Sequence, residues 1–283
     1  MFPEQWEYHV AEPINDLVNW MLHTFQGLFD GISSTILTLL LFLNEVLTAL
    51  PWWLYIVVIC VLAWFTTKSI LTTIVLMSLP LVIGIFGLWE LAVVTLSVIL
   101  TAVIVSIVIG IPVGVLMAES NLIAGLVRPL LDLMQTMPSF VYLIPALMFF
   151  GLGRVPAVLA TIVYSLPPVI RLTNLGLRQV SDDVQEAALS FGATRWQLLK
   201  EVRVPLAVPS ILAGVNQTTM MALAMVVIAS MIGGGGLGYE VLRSINRIDV
   251  GAGFEAGISV VILAVIIDRL TQGLAKRWEP PTS

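Results

Sequence analysis

The chain has 283 residues, of which 58% are hydrophobic and 11% are charged, and its formal net charge is −5. Soluble domains carry about 25% charged residues, so a surface this poor in charge cannot be solvated by water, and most of the chain must face lipid or other helices. The composition therefore excludes an ordinary soluble protein. No run of basic residues indicates a nucleic-acid partner, and the single cysteine, Cys60, excludes an intrachain disulfide.

The N-terminal region, residues 1–50, contains acidic side chains but no lysine or arginine. From Ile14 to Ile32 its apolar residues recur at helical spacing and leave a polar face opposite. A helix with two such faces is expected to lie along the membrane interface. The sequence predicts an extracytoplasmic extension over 1–50. The alternative is an eighth span over 32–50, against which Asn44 and Glu45 argue.

Seven further stretches are long and apolar enough to cross about 30 Å of hydrocarbon. The fourth and fifth are interrupted by prolines, which are tolerated in membrane helices where neighbouring helices satisfy the freed carbonyl groups, so this pair is expected inside the bundle. The predicted fold is an all-α, polytopic membrane helical bundle. The predicted spans are 51–67, 69–89, 91–117, 138–152, 154–175, 206–232 and 255–275.

The positions of lysine and arginine set the orientation of these spans. Lys68, Arg128, a cluster between the fifth and sixth spans, and Lys276 with Arg277 all fall on one side, which is predicted to be cytoplasmic. The N-terminus is then outside and the C-terminus inside, with a cytoplasmic tail over 276–283. This arrangement predicts a multi-pass protein of the plasma or inner membrane. Tryptophans at the outer ends of spans fit a membrane interface belt.

The long cytoplasmic connection between the fifth and sixth spans carries the most informative pattern. Ser181 or Asp182 is suited to cap a short helix, which continues through small residues until Gly192 interrupts it. A second helical piece is predicted to start near Thr194 and to end where the chain meets Pro205. Two short helices joined by a glycine bend would form a rigid projection, and small residues allow another backbone to approach closely.

This connection resembles the EAA loop of ABC importer permeases, with valine where that family prefers isoleucine and leucine. The resemblance implies a coupling loop over 182–205 that docks into a groove on a separate ATPase subunit, with Glu186, Ala187, Ala188 and Gly192 making the contact. The alternative is an ordinary amphipathic connector with a glycine turn. The matching residues are Glu186-Ala187-Ala188, Gly192, Val202 and Val204-Pro205.

The resemblance extends over residues 91–275, which are similar to the type-1 permease domain, and leaves 51–90 as accessory spans. The segments DLMQTMPSFVYLIPALMFFGLGRVPAV and NQTTMMALAMVVIASMIGGGGLG resemble glycine betaine/proline betaine permeases. The resemblance implies import of compatible solutes delivered by an extracytoplasmic substrate-binding protein. It also implies a second permease copy in a homodimer and no cofactor on this chain, with ATP and Mg on the partner ATPase. Betaine, proline betaine, choline and carnitine all fit this expectation.

The glycine run that starts at Gly233 lacks the Gly-Lys-Ser/Thr ending of a phosphate loop, so this chain is not expected to bind ATP. One interpretation is a tight external turn, since glycine tolerates unusual backbone angles. The other is an external gate or a docking surface for the binding protein, formed by Gly236, Leu237, Gly238 and Tyr239.

Candidates for the translocation pathway come from the proline-rich spans and the sixth span. Aromatic faces attract cationic headgroups, methionines adapt to shifting contacts, and amides within a membrane usually face the bundle interior. The alternative is that these side chains only pack helices together. The candidates are Tyr142, Tyr164, Asn216, Met220 and Met221, with Gln217 and Met225 at related positions.

Three other classes of membrane protein fit the sequence less well than the importer. An ion-coupled secondary transporter usually shows repeated halves and midplane ion sites, which this sequence lacks. An intramembrane enzyme is disfavoured because no catalytic or metal-binding motif is present. A small channel leaves the elaborate cytoplasmic connection without a role.

Overall fold

The computed structural model of the protein describes residues 11–276, and every regular element in that range is helical. The predicted all-α bundle is therefore confirmed. The first ten residues of the predicted extension and the predicted tail beyond 276 lie outside the described residues. In chain order the helices are α1 Ala11–Thr24, α2 Gln26–Ala49, α3 Trp52–Thr67, α4 Ile70–Ile85, α5 Trp89–Glu119, α6 Asn121–Thr136, α7 Leu143–Phe150, α8 Arg154–Arg178, α9 Asp182–Ser190, α10 Arg195–Gln197, α11 Val204–Ala229, α12 Gly236–Arg247 and α13 Val250–Lys276.

The centre of the bundle is α8, which packs against α5 on one side and α11 on the other. Glycines let these helices approach closely, as is common in membranes. A Cβ added to Gly114 of α5 would lie 2.6 Å from the Thr173 Cβ, and one added to Gly176 of α8 would lie 2.6 Å from the Ser210 Cβ. The α5–α8 contact also buries the hydroxyls of Ser106 and Ser165, 3.3 Å apart. The packing is therefore tight and partly polar.

Helices α3 and α4 form an antiparallel pair that packs against α13. Each has 16 residues and measures about 24 Å, shorter than the roughly 20 residues that a full crossing needs. They coincide with the first two predicted spans, although α4 ends at Ile85 because Gly87, at φ 72°, turns the chain before α5.

The predicted amphipathic N-terminal helix is divided into α1, in which no residue is buried, and α2. By length and composition α2 also satisfies the requirements of a span. The contacts of α2, however, place both of its ends on the outer side of the bundle. Near its start Phe29 stacks on Phe149 at 5.0 Å, and near its end the Tyr55 hydroxyl donates a hydrogen bond of 2.6 Å to the Leu47 carbonyl. Both partners lie at the predicted outer ends of their helices, so α2 lies across the outer side of the bundle, which favours the interfacial position.

The fourth predicted span, 138–152, contains a short helical piece that cannot cross the membrane by itself. The chain bends by 112° after α6, and the apolar piece that follows, Ser139–Phe150, measures only about 18 Å. The bend falls at Pro138, which cannot donate a helical hydrogen bond and holds Met137 in an extended conformation at ψ 133°. Within residues 11–276, five helices meet the requirements of a span and this bent pair makes a sixth, so seven crossings is an approximate count.

Candidate functional site

The projecting segment between α8 and α11, residues 182–205, is called the coupling segment below. It contains α9, then Gly192 at φ 86°, then α10. The Thr194 hydroxyl accepts from the Gln197 amide and the Gln197 side chain accepts from the Thr194 amide, which together make a capping box. The predicted helix–glycine–helix arrangement is confirmed. Ser181 is the N-cap residue of α9, but its side chain makes no capping hydrogen bond.

The four predicted ATPase contacts lie on the coupling segment around this bend. Glu186, Ala187 and Gly192 are exposed and Ala188 is half-buried. A Cβ at Gly192 would meet no atom of the described residues within 4 Å, so the glycine is required by its left-handed backbone angle and not by crowding. The exposed face is therefore open to a partner.

Two aromatic residues that were not predicted as contacts lie at the same tip. Phe191 is 94% exposed and Trp196 is 68% exposed. Large aromatic side chains exposed to water are typical of protein interfaces, where they supply most of the binding energy. The signal was present in the sequence, since both residues lie within four positions of Gly192 on a connection predicted to be cytoplasmic.

The coupling segment continues into the membrane without a break, so the predicted helix end at Pro205 is wrong. Residues Leu198–Arg203 form a π-helix, in which the Val204 amide donates to the Leu199 carbonyl, and α11 follows directly. A π-helical turn re-registers the backbone hydrogen bonds, and Pro205, which has no N–H to donate, follows that turn directly. The result is one helical run, Arg195–Ile232, of 38 residues.

The pathway candidates Tyr142 and Tyr164 come together. Their rings lie 5.6 Å apart at 74°, edge to face, and the Tyr142 hydroxyl donates to the Met134 carbonyl. Tyr142 is only 5% exposed and belongs to a cluster with Met225 of α11, while Tyr164 packs at its margin. The sixth span therefore meets the tyrosines through Met225.

Three other pathway candidates do not join the tyrosine pair. The Asn216 side chain donates to the Asp268 carboxylate at 3.4 Å and accepts from Thr271, so it ties α11 to α13. Met220 packs against the main apolar core, and Met221 is half-buried. Asn216 and Met220 therefore occupy the packing role that was the alternative interpretation.

The glycine run begins at the exposed Gly233 and is buried over residues 236–238. The Leu237 amide donates to the Thr95 hydroxyl at 2.8 Å, and a Cβ at Gly236 would lie 2.3 Å from that hydroxyl oxygen. Gly236, Leu237 and Gly238 are buried, whereas Tyr239 is 51% exposed. Among the predicted gate or docking residues, Tyr239 is thus the one accessible from outside.

No group of three or more histidine, cysteine, aspartate or glutamate side chains within residues 11–276 is arranged to hold a metal ion.

Comparison with known proteins gives a consistent family. The family model for the binding-protein-dependent transport system inner membrane component matches residues 110–280. The chain is 46% identical over 263 residues to the glycine betaine/proline betaine permease ProW of Escherichia coli, covering 93% of this chain and 74% of that protein. It is 43% identical to the glycine betaine/carnitine permease GbuB of Listeria monocytogenes, covering 94% and 97% respectively. It is also 43% identical to the glycine betaine permease OpuAB of Bacillus subtilis, covering 94% of each chain.

The fold is shared with a solved ABC transporter. An inward-facing structure of the MetNI methionine transporter superposes with a TM-score of 0.62 at 21% sequence identity, covering 68% of this chain and 96% of that one. The shared part of the chain corresponds in size to the bundle without its N-terminal additions.

Proposed function

The chain belongs to the family of binding-protein-dependent transport system inner membrane components, and from this premise we propose that it imports glycine betaine or a related quaternary ammonium solute. It is the multi-pass membrane permease subunit of an ABC importer and not an enzyme. This membership sets aside the ion-coupled secondary transporter and the small channel.

The choice of solute is supported by the relatives, since three that match more than nine-tenths of this chain carry glycine betaine in their names. The Tyr142–Tyr164 pair fits that chemistry because the face of an aromatic ring attracts a quaternary ammonium group. The pair is mostly covered in this conformation, so we propose that it meets the solute when the bundle opens.

The coupling segment is proposed to bind the ATPase subunit, which would hold ATP and Mg. The backbone of the partner would approach closely the face formed by Glu186, Ala187, Ala188 and Gly192. The exposed side chains of Phe191 and Trp196 would enter the groove of the partner. The single observation that carries this proposal is the pair of exposed aromatics at the tip of a capped, rigid bend.

Two further partners are proposed. A second copy of the chain would complete a homodimeric pathway, and an extracytoplasmic binding protein would dock where Tyr239 is exposed at the start of α12. In this proposal residues 1–50 lie outside the membrane, 51–90 are accessory, 91–275 form the permease domain with its coupling loop over 182–205, and 276–283 are a cytoplasmic tail.

The test is reconstitution of the chain with its ATPase and binding protein in liposomes, followed by uptake of radiolabelled glycine betaine. Gly192→Trp is expected to abolish ATP-dependent uptake while membrane insertion remains intact. Gly192→Asn is the matched control, because asparagine tolerates the left-handed backbone and adds little bulk. Uptake unchanged by the tryptophan would contradict the coupling assignment, and failure of excess unlabelled glycine betaine to compete would contradict the solute.

A further inference from the structure

We infer that Arg203 and Arg178 are positioning residues that pass movement of the coupling segment first to α8 and then to α5. The inference rests on the proposed coupling to an ATPase. Away from these two arginines, α8 is joined to α5 and α11 mainly by side-chain packing, with the Ser106–Ser165 hydroxyl contact within it. Packed side chains can slide past one another. Directional bonds from a charged group resist such sliding, so they are suited to transmit a displacement.

Arg203 is the last residue of the π-helical stretch of the coupling segment, and its side chain is only 12% exposed. Its Nε and Nη2 atoms lie 3.4 and 3.2 Å from the Leu177 carbonyl oxygen. Leu177 is the penultimate residue of α8, so its carbonyl has no partner within the helix and is available to a cation. The same guanidinium forms an ion pair with Glu119, the last residue of α5.

Arg178, the last residue of α8, repeats this arrangement one helix further on. Its Nη2 atom donates to the Met117 carbonyl at 2.7 Å and to the Asn121 side chain at 2.9 Å. Met117 lies in the last turn of α5, so this carbonyl is again one that the helix leaves free. Asn174 holds the Arg178 Nε at 3.0 Å and so fixes the direction of the guanidinium.

The two arginines therefore form a series in which each element holds the free carboxyl end of the next helix. Arg203 of the coupling segment donates hydrogen bonds to the end of α8, and Arg178 of α8 donates hydrogen bonds to the end of α5. Glu119 closes the series because it ties the end of α5 back to Arg203. A planar guanidinium with several donors can make these bonds together, whereas a lysine ammonium lacks the fork geometry.

The test measures glycine betaine transported per ATP hydrolysed in liposomes that contain the full importer. Coupling free energies between sites of 1–3 kcal/mol correspond to roughly 5–150-fold effects, so Arg203→Gln is expected to lower this ratio by about fivefold or more. Arg203→Lys keeps the charge facing Glu119 but loses the fork, and an intermediate ratio is expected. Arg178→Gln should lower the ratio as well.

The matched control is Arg128→Gln on α6, since Arg128 is on the same side and forms no ion pair within residues 11–276. Its ratio should equal that of the unsubstituted protein. A purely structural role for Arg203 would lower transport and ATP hydrolysis in proportion, leave the ratio unchanged and overturn the inference. Absence of any ATP-dependent glycine betaine uptake by the unsubstituted importer would instead contradict the proposed function.

Discussion

The membrane core around α8 and the coupling segment differ in which side chains they bury: the core buries polar groups, and the coupling segment exposes aromatic ones. In α8 the hydroxyls of Thr161, Ser165 and Thr173 are fully buried, whereas Phe191 in the coupling segment is 94% exposed. In lipid, polar side chains turn towards other helices because the surrounding solvent is apolar. Outside the membrane, an exposed aromatic gains free energy only when a partner covers it. The hydroxyls of α8 are thus covered by helices of the same chain, whereas the described residues leave the aromatic tip of the coupling segment uncovered.

The largest effect is expected from removing the exposed aromatic side chains of the coupling segment. Removing both aromatics with Phe191→Ala and Trp196→Ala should weaken binding of the ATPase by about 2–4 kcal/mol, since aromatic hot spots contribute about that much. The amount of folded permease should not change, because neither side chain packs in the core. Microscale thermophoresis with purified subunits measures the affinity. Trp20→Ala, which removes an aromatic of similar exposure from α1, is the control and should leave the affinity unaltered.

Adding a single methyl group to the buried contact between α5 and α8 tests how tightly these helices pack. Gly114→Ala would place a Cβ 2.6 Å from the Thr173 Cβ and 2.8 Å from the Ile170 carbonyl oxygen, so α5 and α8 must separate. Overpacking of this kind costs about 1–3 kcal/mol. The expected result is a lower melting temperature in detergent. Size-exclusion chromatography of heated samples measures it.

Gly84→Ala in α4 is the control for that experiment. It adds the same methyl group where, apart from its chain neighbours and the backbone of its own helix, no described atom lies within 4 Å, so the melting temperature should stay the same or rise slightly. Equal destabilisation by both substitutions would show that the α5–α8 contact is no tighter than the periphery.

The smallest expected effect concerns the rigidity of the coupling segment. Thr194→Ala removes the hydroxyl of the capping box, which contributes about 1 kcal/mol to a helix start. Amide hydrogen exchange should become faster in residues 195–199 and stay unchanged in α8. Thr194→Ser, which keeps the hydroxyl, should restore the original rate, and no acceleration in the alanine variant would mean that the bend is held by other contacts.

Local signals were enough to predict the coupling segment. The cap residues before α9, the bend at Gly192 and the helix start near Thr194 each depend on a few neighbouring residues, so they can be derived from the local sequence. The EAA spacing added the family. Phe191 and Trp196 were missed because only the motif residues were considered, although aromatic residues on a cytoplasmic connection were visible.

Features that depend on distant contacts were not predictable in the same way. The π-helical stretch that carries the chain past Pro205 depends on how the coupling segment packs beneath the bundle. The direction of Asn216 is set by Asp268, 52 residues away. The prolines of the fourth span were visible in the sequence, but the 112° bend before Ser139 was not predicted because the flanking residues are apolar enough to suggest a span. Periodicity locates a helix but does not say which neighbour each face meets.

The unbroken run from Arg195 to Ile232 makes this part of the chain a lever. Its 38 residues measure about 57 Å, almost twice the roughly 30 Å of a hydrocarbon core. The outer end is held where the Gly153 amide donates to the Ile232 carbonyl at 2.9 Å, which supplies a pivot. For a tilt of the whole run as one body about that point, each degree would swing Arg195 through about 1 Å. A tilt of about five degrees therefore displaces the coupling end by nearly the pitch of one helical turn.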